Sequence, residues 1–321
     1  MTSRRSFLCM GAAATASFAA KGVSLTGTKP GKDPDPNLSV FISDLHVPAK
    51  GVTPEDPRDE AFPDQMYDCL VRTVDEILAM RPLPSSVVCF GDIAYLKGRL
   101  EEYQTTAPVL RRIEQAGIRL VLGMGNHDHR AAFLEVWPEY REKTLVPGYV
   151  VSEVSLGTCD LVMLDTLWDS GKPGTYNDGD GNLQGAMLDF VQNELKKRTR
   201  PFLLAGHQAP ANIAVGDEKL LHWVAKLGKC CGYVHGDDHE WRRYSVHAWY
   251  GSYPVKRVAA LPSTGFWGDI GYAICRTGAD RAKIKVVQKD FYFPRYRRDN
   301  RPACWASMTR ENDGSTCEFA Y

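Results

Sequence analysis

The sequence predicts an α/β fold built on a sheet that is largely parallel in its first half, and three observations carry that expectation. Short runs rich in β-branched and other apolar residues alternate with segments of helical periodicity. Five of those runs lead straight into short polar motifs: Ser43-Asp44-Leu45-His46, Gly91-Asp92, Gly125-Asn126-His127-Asp128, Gly206-His207 and Gly236-Asp237-Asp238-His239. From Val258 to Phe291 the helical spacing gives way to short alternating strands. Side chains placed this way emerge together where strands end, which is where open α/β sheets keep their ligands.

Residues 21 to 37, with Gly22, Gly27, Pro30, Gly31, Pro34 and Pro36, read as a flexible lead-in, and the fold is expected to start after them. Leu38 to Ile42 reads as a strand delivering Asp44 and His46, and Val47 to Pro63 as a loop rich in Pro and acidic residues over the site. Met66, Leu70, Val74, Ile77 and Leu78 recur at helical spacing and are ended by Arg81-Pro82. The unit then repeats. Ser86 to Phe90 delivers Asp92, a helix from Leu100 to Ala116 stops at Gly117, and Ile118 to Leu122 delivers Asn126 and His127. Strand-helix-strand units of this kind set neighbouring strands parallel. Tyr149 to Leu156 and Asp160 to Asp165 read as a hairpin, and Met187 to Lys197 as a helix. Pro201 to Ala205 reads as the strand that supplies His207, Leu220 to Leu227 as a helix, and Gly232 to Val234 as the strand before the last motif.

A chain of 321 residues accommodates one large α/β domain, and nothing in the sequence reads as a linker that would divide it. Lys plus Arg and Asp plus Glu balance at 39 each, so there is no global basic field to recruit nucleic acid or an anionic membrane. No nucleic-acid partner is expected. At the amino terminus, Ser3-Arg4-Arg5-Ser6-Phe7-Leu8 and the Ala-rich stretch to Ala20 resemble a twin-arginine export signal. The stretch is too short to span a bilayer, which needs about 20 apolar residues. The expectation is a periplasmic or otherwise exported protein handled by the twin-arginine machinery, with no stable membrane anchor. Residues 1–37 are then signal and lead-in, 38–290 the catalytic domain and 291–321 a C-terminal extension. Cys89, Cys159 and Cys275 lie in apolar runs and read as core residues. Cys304 and Cys317 are spaced to close a short loop, and an oxidising compartment would permit a disulfide between them.

In order and chemistry the five motifs resemble the calcineurin-like metallophosphoesterase family, whose pattern runs D-x-H, G-D, G-N-H-[DE], a lone His and G-H-x-H. The resemblance covers roughly residues 38 to 290. It implies a four-layer αββα sandwich: two mixed β-sheets flanked by helices. It also implies two divalent or trivalent metal ions (Mn, Fe or Zn) and a small-molecule phosphoester substrate, a monoester or a diester, attacked by metal-bound hydroxide. Two cations about 3.5–4 Å apart need a shared anionic ligand, and Asp92 fills that position. Asp44, His46 and His239 would join it around the first metal, and Asn126 and His207 around the second. His127 would donate a proton to the departing oxygen, with Asp128 orienting its ring.

The last motif departs from the pattern, because Asp237 stands where the family has its first His. A carboxylate there would favour a harder cation such as Mn²⁺ over Zn²⁺. His235 swinging in, or a weakly held second metal, are the other outcomes open at this point. Gly91-Asp92-Ile93-Ala94-Tyr95 is similar to the segment in which purple acid phosphatases place a metal-binding tyrosine. His46 already fills that coordination slot, so Tyr95 reads as a pocket wall or a supporting residue. The rival readings are a cyclic-nucleotide phosphodiesterase and a non-catalytic metal- or phosphate-binding relative.

Overall fold

The computed structural model describes residues 33–51, 63–246, 255–265, 268–292 and 312–321. The chain opens with β1 (Asp35–Ile42), α1 (Pro63–Ala79), β2 (Pro84–Cys89), α2 (Leu100–Gln115) and β3 (Arg119–Leu122). Two short helices follow, α3 (Arg130–Val136) and α4 (Tyr140–Lys143), and then the strands β4 (Ser152–Ser155), β5 (Asp160–Met163) and β6 (Gly181–Leu183). Next come α5 (Gly185–Asp189), β7 (Phe202–Ala205), β8 (Ile213–Val215), β9 (Glu218–Lys219) and α6 (Leu220–Lys226). The chain ends in strands: β10 (Cys230–His235), β11 (Arg242–Val246), β12 (Lys256–Ala260), β13 (Gly268–Thr277), β14 (Arg281–Tyr292) and β15 (Thr316–Ala320).

Among the described residues these strands form two six-stranded mixed sheets, ordered β15-β14-β13-β1-β2-β3 and β11-β12-β10-β7-β5-β4, and a small sheet of β6, β8 and β9. β1, β2 and β3 run parallel, as do β5, β7, β10 and β12. Period-two alternation divides each strand's side chains between two layers. Phe41, Val88, Phe90 and Val121 point from the first sheet into the core shared with Leu161, Met163, Leu203 and Val234 of the second. Their neighbours Val40, Ile42, Val87, Cys89 and Leu122 face outward, under Leu70, Val74 and Ile77 of α1 and Tyr103, Leu110 and Ile113 of α2. On the far side Met187, Leu220, Trp223 and Val224 cover Val162, Leu204, Tyr233 and Val258. The result is the expected helix-sheet-sheet-helix order.

Several elements differ from the sequence expectation. The helix expected over Met187 to Lys197 is broken into α5, a π-helical turn at Phe190–Glu194 and a 3-10 turn at Leu195–Lys197. The strand-rich ending holds two long strands, of 10 and 12 residues, rather than a series of short ones. Residues 291–321, set apart on sequence as an extension, contribute the end of β14 and the edge strand β15, whose Phe319 and Cys317 sit in the core between the sheets. Cys304 lies outside the described residues, as does the proposed signal segment. No helix among the described residues is long and apolar enough to cross a membrane.

Candidate metal centre

Each predicted ligand sits in a loop at the C-terminal end of a parallel strand: β1, β2 and β3 of the first sheet, β7 and β10 of the second. Backbone bonds tie these loops to one another. Asp44 N–H donates to Gly91 O at 3.1 Å, His46 N–H to Asp92 O at 2.9 Å and Gly236 N–H to His207 O at 2.9 Å. Among the described residues, the non-glycine residues with positive φ are Asp44, His46, Asp92, Asp237 and His239. All five are candidate ligands. The left-handed region costs an L-residue roughly 1–2 kcal/mol, so five such residues at one place mark a site where geometry has been kept at the expense of stability. Glycine makes the loops' close approach possible: a Cβ on Gly125 would collide with Asp92 Oδ1.

The side chains fall into two donor sets that meet at Asp92. In the first, Asp44 Oδ1 lies 3.2 Å from His239 Nε2, and His46 Nε2 lies 3.3 Å from both His239 Nε2 and Asp92 Oδ2. Asp44, His46, Asp92 and His239 are buried and offer ligand atoms within 4.8 Å of one another. In the second, His207 Nε2 lies 3.1 Å from Asp92 Oδ2, 3.1 Å from Asn126 Oδ1 and 3.7 Å from Asp237 Oδ1. The other oxygen of Asp92 accepts His127 N–H at 2.8 Å, which turns Oδ2 towards both sets.

The imidazoles are oriented from behind. His46 Nδ1 donates to Tyr95 O at 2.6 Å and His207 Nδ1 to Phe90 O at 2.7 Å, which leaves each Nε2 as the nitrogen that faces inward. Burial pushes His46 down to about 3, so its ring is neutral. Burial opposes charge on His207 and His239, but Asp92 beside the first and Asp44 beside the second raise both above the usual range. Burial likewise opposes charge on Asp92, yet His207, His127 and His46 hold its carboxyl well below the usual carboxylate value. Burial, with Asp92 and Asp44 nearby, raises Asp237 to about 6. Asp44 Oδ2 is buried without a hydrogen-bond partner. Buried carboxylates facing inward-turned imidazole nitrogens, with an orphaned carboxylate oxygen among them, form a donor set that fits a divalent cation.

One expectation about the surrounding residues changes, and two points left open are answered. Asp128 does not orient the His127 ring: its carboxylate accepts Gly125 N–H at 2.9 Å, Ala94 N–H at 3.0 Å, Ile93 N–H at 3.3 Å and Tyr103 O–H at 3.0 Å. It is a buried brace between the Gly91 and Gly125 loops. The ring partner of His127 is instead Leu96 O, 2.8 Å from Nδ1. His235 does not swing in, because its ring nitrogens meet Gly236 O at 2.8 Å and Tyr244 Oη at 3.1 Å. Tyr95 supports the centre through its carbonyl. Tyr103 and Asn177, both in contact with the Gly125 loop, had no motif to announce them.

Two mixed sheets between helices, with carboxylates and imidazoles converging on one place, make a candidate metal centre at the strand ends of an α/β sandwich. The chain belongs to the calcineurin-like phosphoesterase family, whose profile it matches over residues 39–241. It is 29% identical over 177 residues to a probable cyclic nucleotide phosphodiesterase of Rhodopseudomonas palustris, an alignment taking in 53% of this chain and 57% of that protein. The chain thus spans little more than half the length of that curated relative. Among solved structures, a dimetal phosphatase from Danio rerio superposes with a TM-score of 0.59 at 14% identity, covering 78% of this chain and 96% of the other. PhoD superposes with a TM-score of 0.52 at 13% identity, covering 79% and 66%. At these identities the likeness to solved structures is one of fold.

Proposed function

We propose that this protein is an exported phosphohydrolase that works with two metal ions on a small phosphomonoester or phosphodiester. The observation that carries the reading is the position of Asp92 Oδ2, 3.3 Å from His46 Nε2 and 3.1 Å from His207 Nε2, a carboxylate oxygen common to two donor sets. Asp44, His46, Asp92 and His239 would hold one cation, and Asp92, Asn126, His207 and Asp237 the other. Such a pair supplies positive charge against the phosphoryl oxygens and lowers the pKa of coordinated water.

The chain's own groups then have separate tasks. Asn126 Oδ1 and the His127 backbone N–H lock the Gly125 loop onto His207 and Asp92. His127 is half-buried, and with Nδ1 committed to Leu96 O its Nε2 is the nitrogen left to give a proton to the departing oxygen. Asp237 makes the second set more anionic than an imidazole would and favours Mn²⁺ over Zn²⁺.

Similarity to a probable cyclic nucleotide phosphodiesterase supports a small diester as the second reading of substrate. Turnover of p-nitrophenyl phosphate against its bis-ester and a 3′,5′-cyclic nucleotide, on Mn²⁺-loaded protein, separates monoesterase from diesterase. Cleavage of none of them by protein that still binds two metals would make it a binding relative instead. Export rests on Arg4-Arg5 and the Ala-rich segment after them, and an Arg4-Arg5→Lys-Lys change that leaves the protein's location unaltered would refute it.

A further inference from the structure

We propose that Asn177 is a positioning residue for His127, an inference that rests on the acid role proposed for that histidine. The Asn177 Nδ2 amide donates to Asn126 O at 3.0 Å and to Asp128 O at 2.7 Å, the two carbonyls that flank His127 in the chain. Its Oδ1 accepts Ser170 N–H at 2.8 Å. The pattern of two donors and one acceptor assigns the amide's orientation unambiguously, since only the NH₂ end can meet two carbonyls. Across a sequence separation of 49 to 51 residues, one side chain therefore brackets the residue that delivers the proton.

The contact complements those on the inner side of the same loop. There the His127 N–H donates to Asp92 Oδ1, Asn126 Oδ1 faces His207, and the Asp128 carboxylate gathers its four donors. Asn177 closes the outer side, and the loop is held from both faces. The segment that carries Asn177 has its own anchors: Asp169 Oδ1 meets His129 Nδ1 at 2.7 Å, Asp169 Oδ2 accepts Arg130 N–H at 2.9 Å, and Gly174 N–H donates to Lys97 O at 2.8 Å. Those anchors do not involve Asn177, so a substitution there acts on the His127 loop while the segment stays docked.

Asn177→Asp is the isosteric test. It keeps the acceptor for Ser170 N–H and sets a carboxylate oxygen against two carbonyl oxygens in place of the two N–H donors. Misplacing a catalytic group by about 1 Å costs on the order of 10²-fold. The leaving group of p-nitrophenyl phosphate departs without help from an acid, whereas that of phenyl phosphate needs one. With the metal-loaded enzyme, kcat on phenyl phosphate should fall by about 10²-fold and on p-nitrophenyl phosphate by far less, with KM and bound metal unchanged. His127→Gln should show the same leaving-group dependence. Should the Asp variant not fold, Asn177→Ala, which removes the donors without adding a charge, carries the same expectation. If His127→Gln discriminates between the esters but the Asn177 variants lose both equally, or lose bound metal, Asn177 is a strut for the whole centre and the inference is overturned. If His127→Gln does not discriminate, the acid role itself fails and the inference fails with it.

Discussion

The two donor sets that share Asp92 differ in how they meet solvent. Asp44, His46 and His239 are 0%, 1% and 3% exposed, sealed beneath the β1 and β10 loops. On the other side His207 is buried, but Asn126 is half-buried and the Asp237 side chain is 25% exposed. On the proposed function, the sealed set would retain a cation and the open set would be the side from which a phosphoester approaches. The departure from the family pattern, Asp237 in place of a histidine, falls on the open set, where a change of ligand alters a cation's preference without unsealing the core.

The shared residue should give the largest effect. Asp92→Ala removes the common carboxylate from both sets and should lower turnover by at least about 10³-fold, the scale at which preorganised charge-stabilising groups count. Steady-state kinetics and elemental analysis together check it, and retention of a full metal complement would break the argument that the two sets meet at Asp92. Next comes the contrast between the sets. Asp44→Asn should strip metal and activity together, whereas Asp237→His should keep activity within about tenfold, the low end of effects on metal-site variants, and shift preference from Mn²⁺ towards Zn²⁺. Equal losses from both would erase the distinction between a sealed and an open set.

A glycine sharpens the same contrast. A Cβ on Gly236 would collide with Ser43 Oγ and meet Asp44 Oδ2, which among the described residues are the two buried side-chain oxygens without a hydrogen-bond partner. Gly236→Ala should destabilise the protein by about 1–3 kcal/mol, the usual cost of overpacking, and weaken metal retention in the sealed set. Chemical denaturation with and without chelator measures both. An unchanged midpoint would mean that the sealed set has room the structure does not show.

The candidate site was legible in the sequence because each candidate ligand directly follows a strand, so motif and placement come from the same residues. The sheet alternation was legible for a similar reason: Val40, Ile42, Val87 and Cys89 on one face and Phe41, Val88 and Phe90 on the other leave a period-two trace. The supporting contacts leave no such trace. Asn177 lies in a loop rich in Gly and Asp, and its partners are backbone carbonyls some 50 residues away that any sequence would supply. Asp128 looked like a partner for its neighbour His127, but adjacent residues in a tight turn point apart, and its carboxylate turns inward to four donors. β15 leaves little trace because five residues carry too little periodicity to announce a strand whose partner begins at Arg281.

The smallest expected effect lies on the border of the open set, where His129 and Asp169 pin the segment that carries Asn177. His129 donates from both ring nitrogens, to Asp169 Oδ1 at 2.7 Å and Thr175 O at 3.0 Å, and only the protonated ring can do so. Burial opposes that charge, but the Asp169 carboxylate and the Thr175 carbonyl raise the ring above its ordinary 6.5, while the bond to His129 helps draw Asp169 down to about 2 despite its own burial. For the histidine, a folded value above the unfolded one means that its contribution is complete below pH 6.5 and is lost as pH rises through the raised value. For the aspartate, a folded value of about 2 against 3.8 means that its contribution is present above pH 3.8 and is lost as pH falls towards 2. Hydrogen bonds to charged groups contribute about 1.5–3 kcal/mol, so the alkaline loss should be modest but measurable. Thermal melts of metal-free protein across pH 6 to 9 should show a decline that His129→Gln makes shallower, and amide exchange should place the difference in residues 169–177. If the variant declines as steeply as the wild type, the alkaline loss belongs to the metal centre instead, where His207 beside Asp92 and His239 beside Asp44 are also raised.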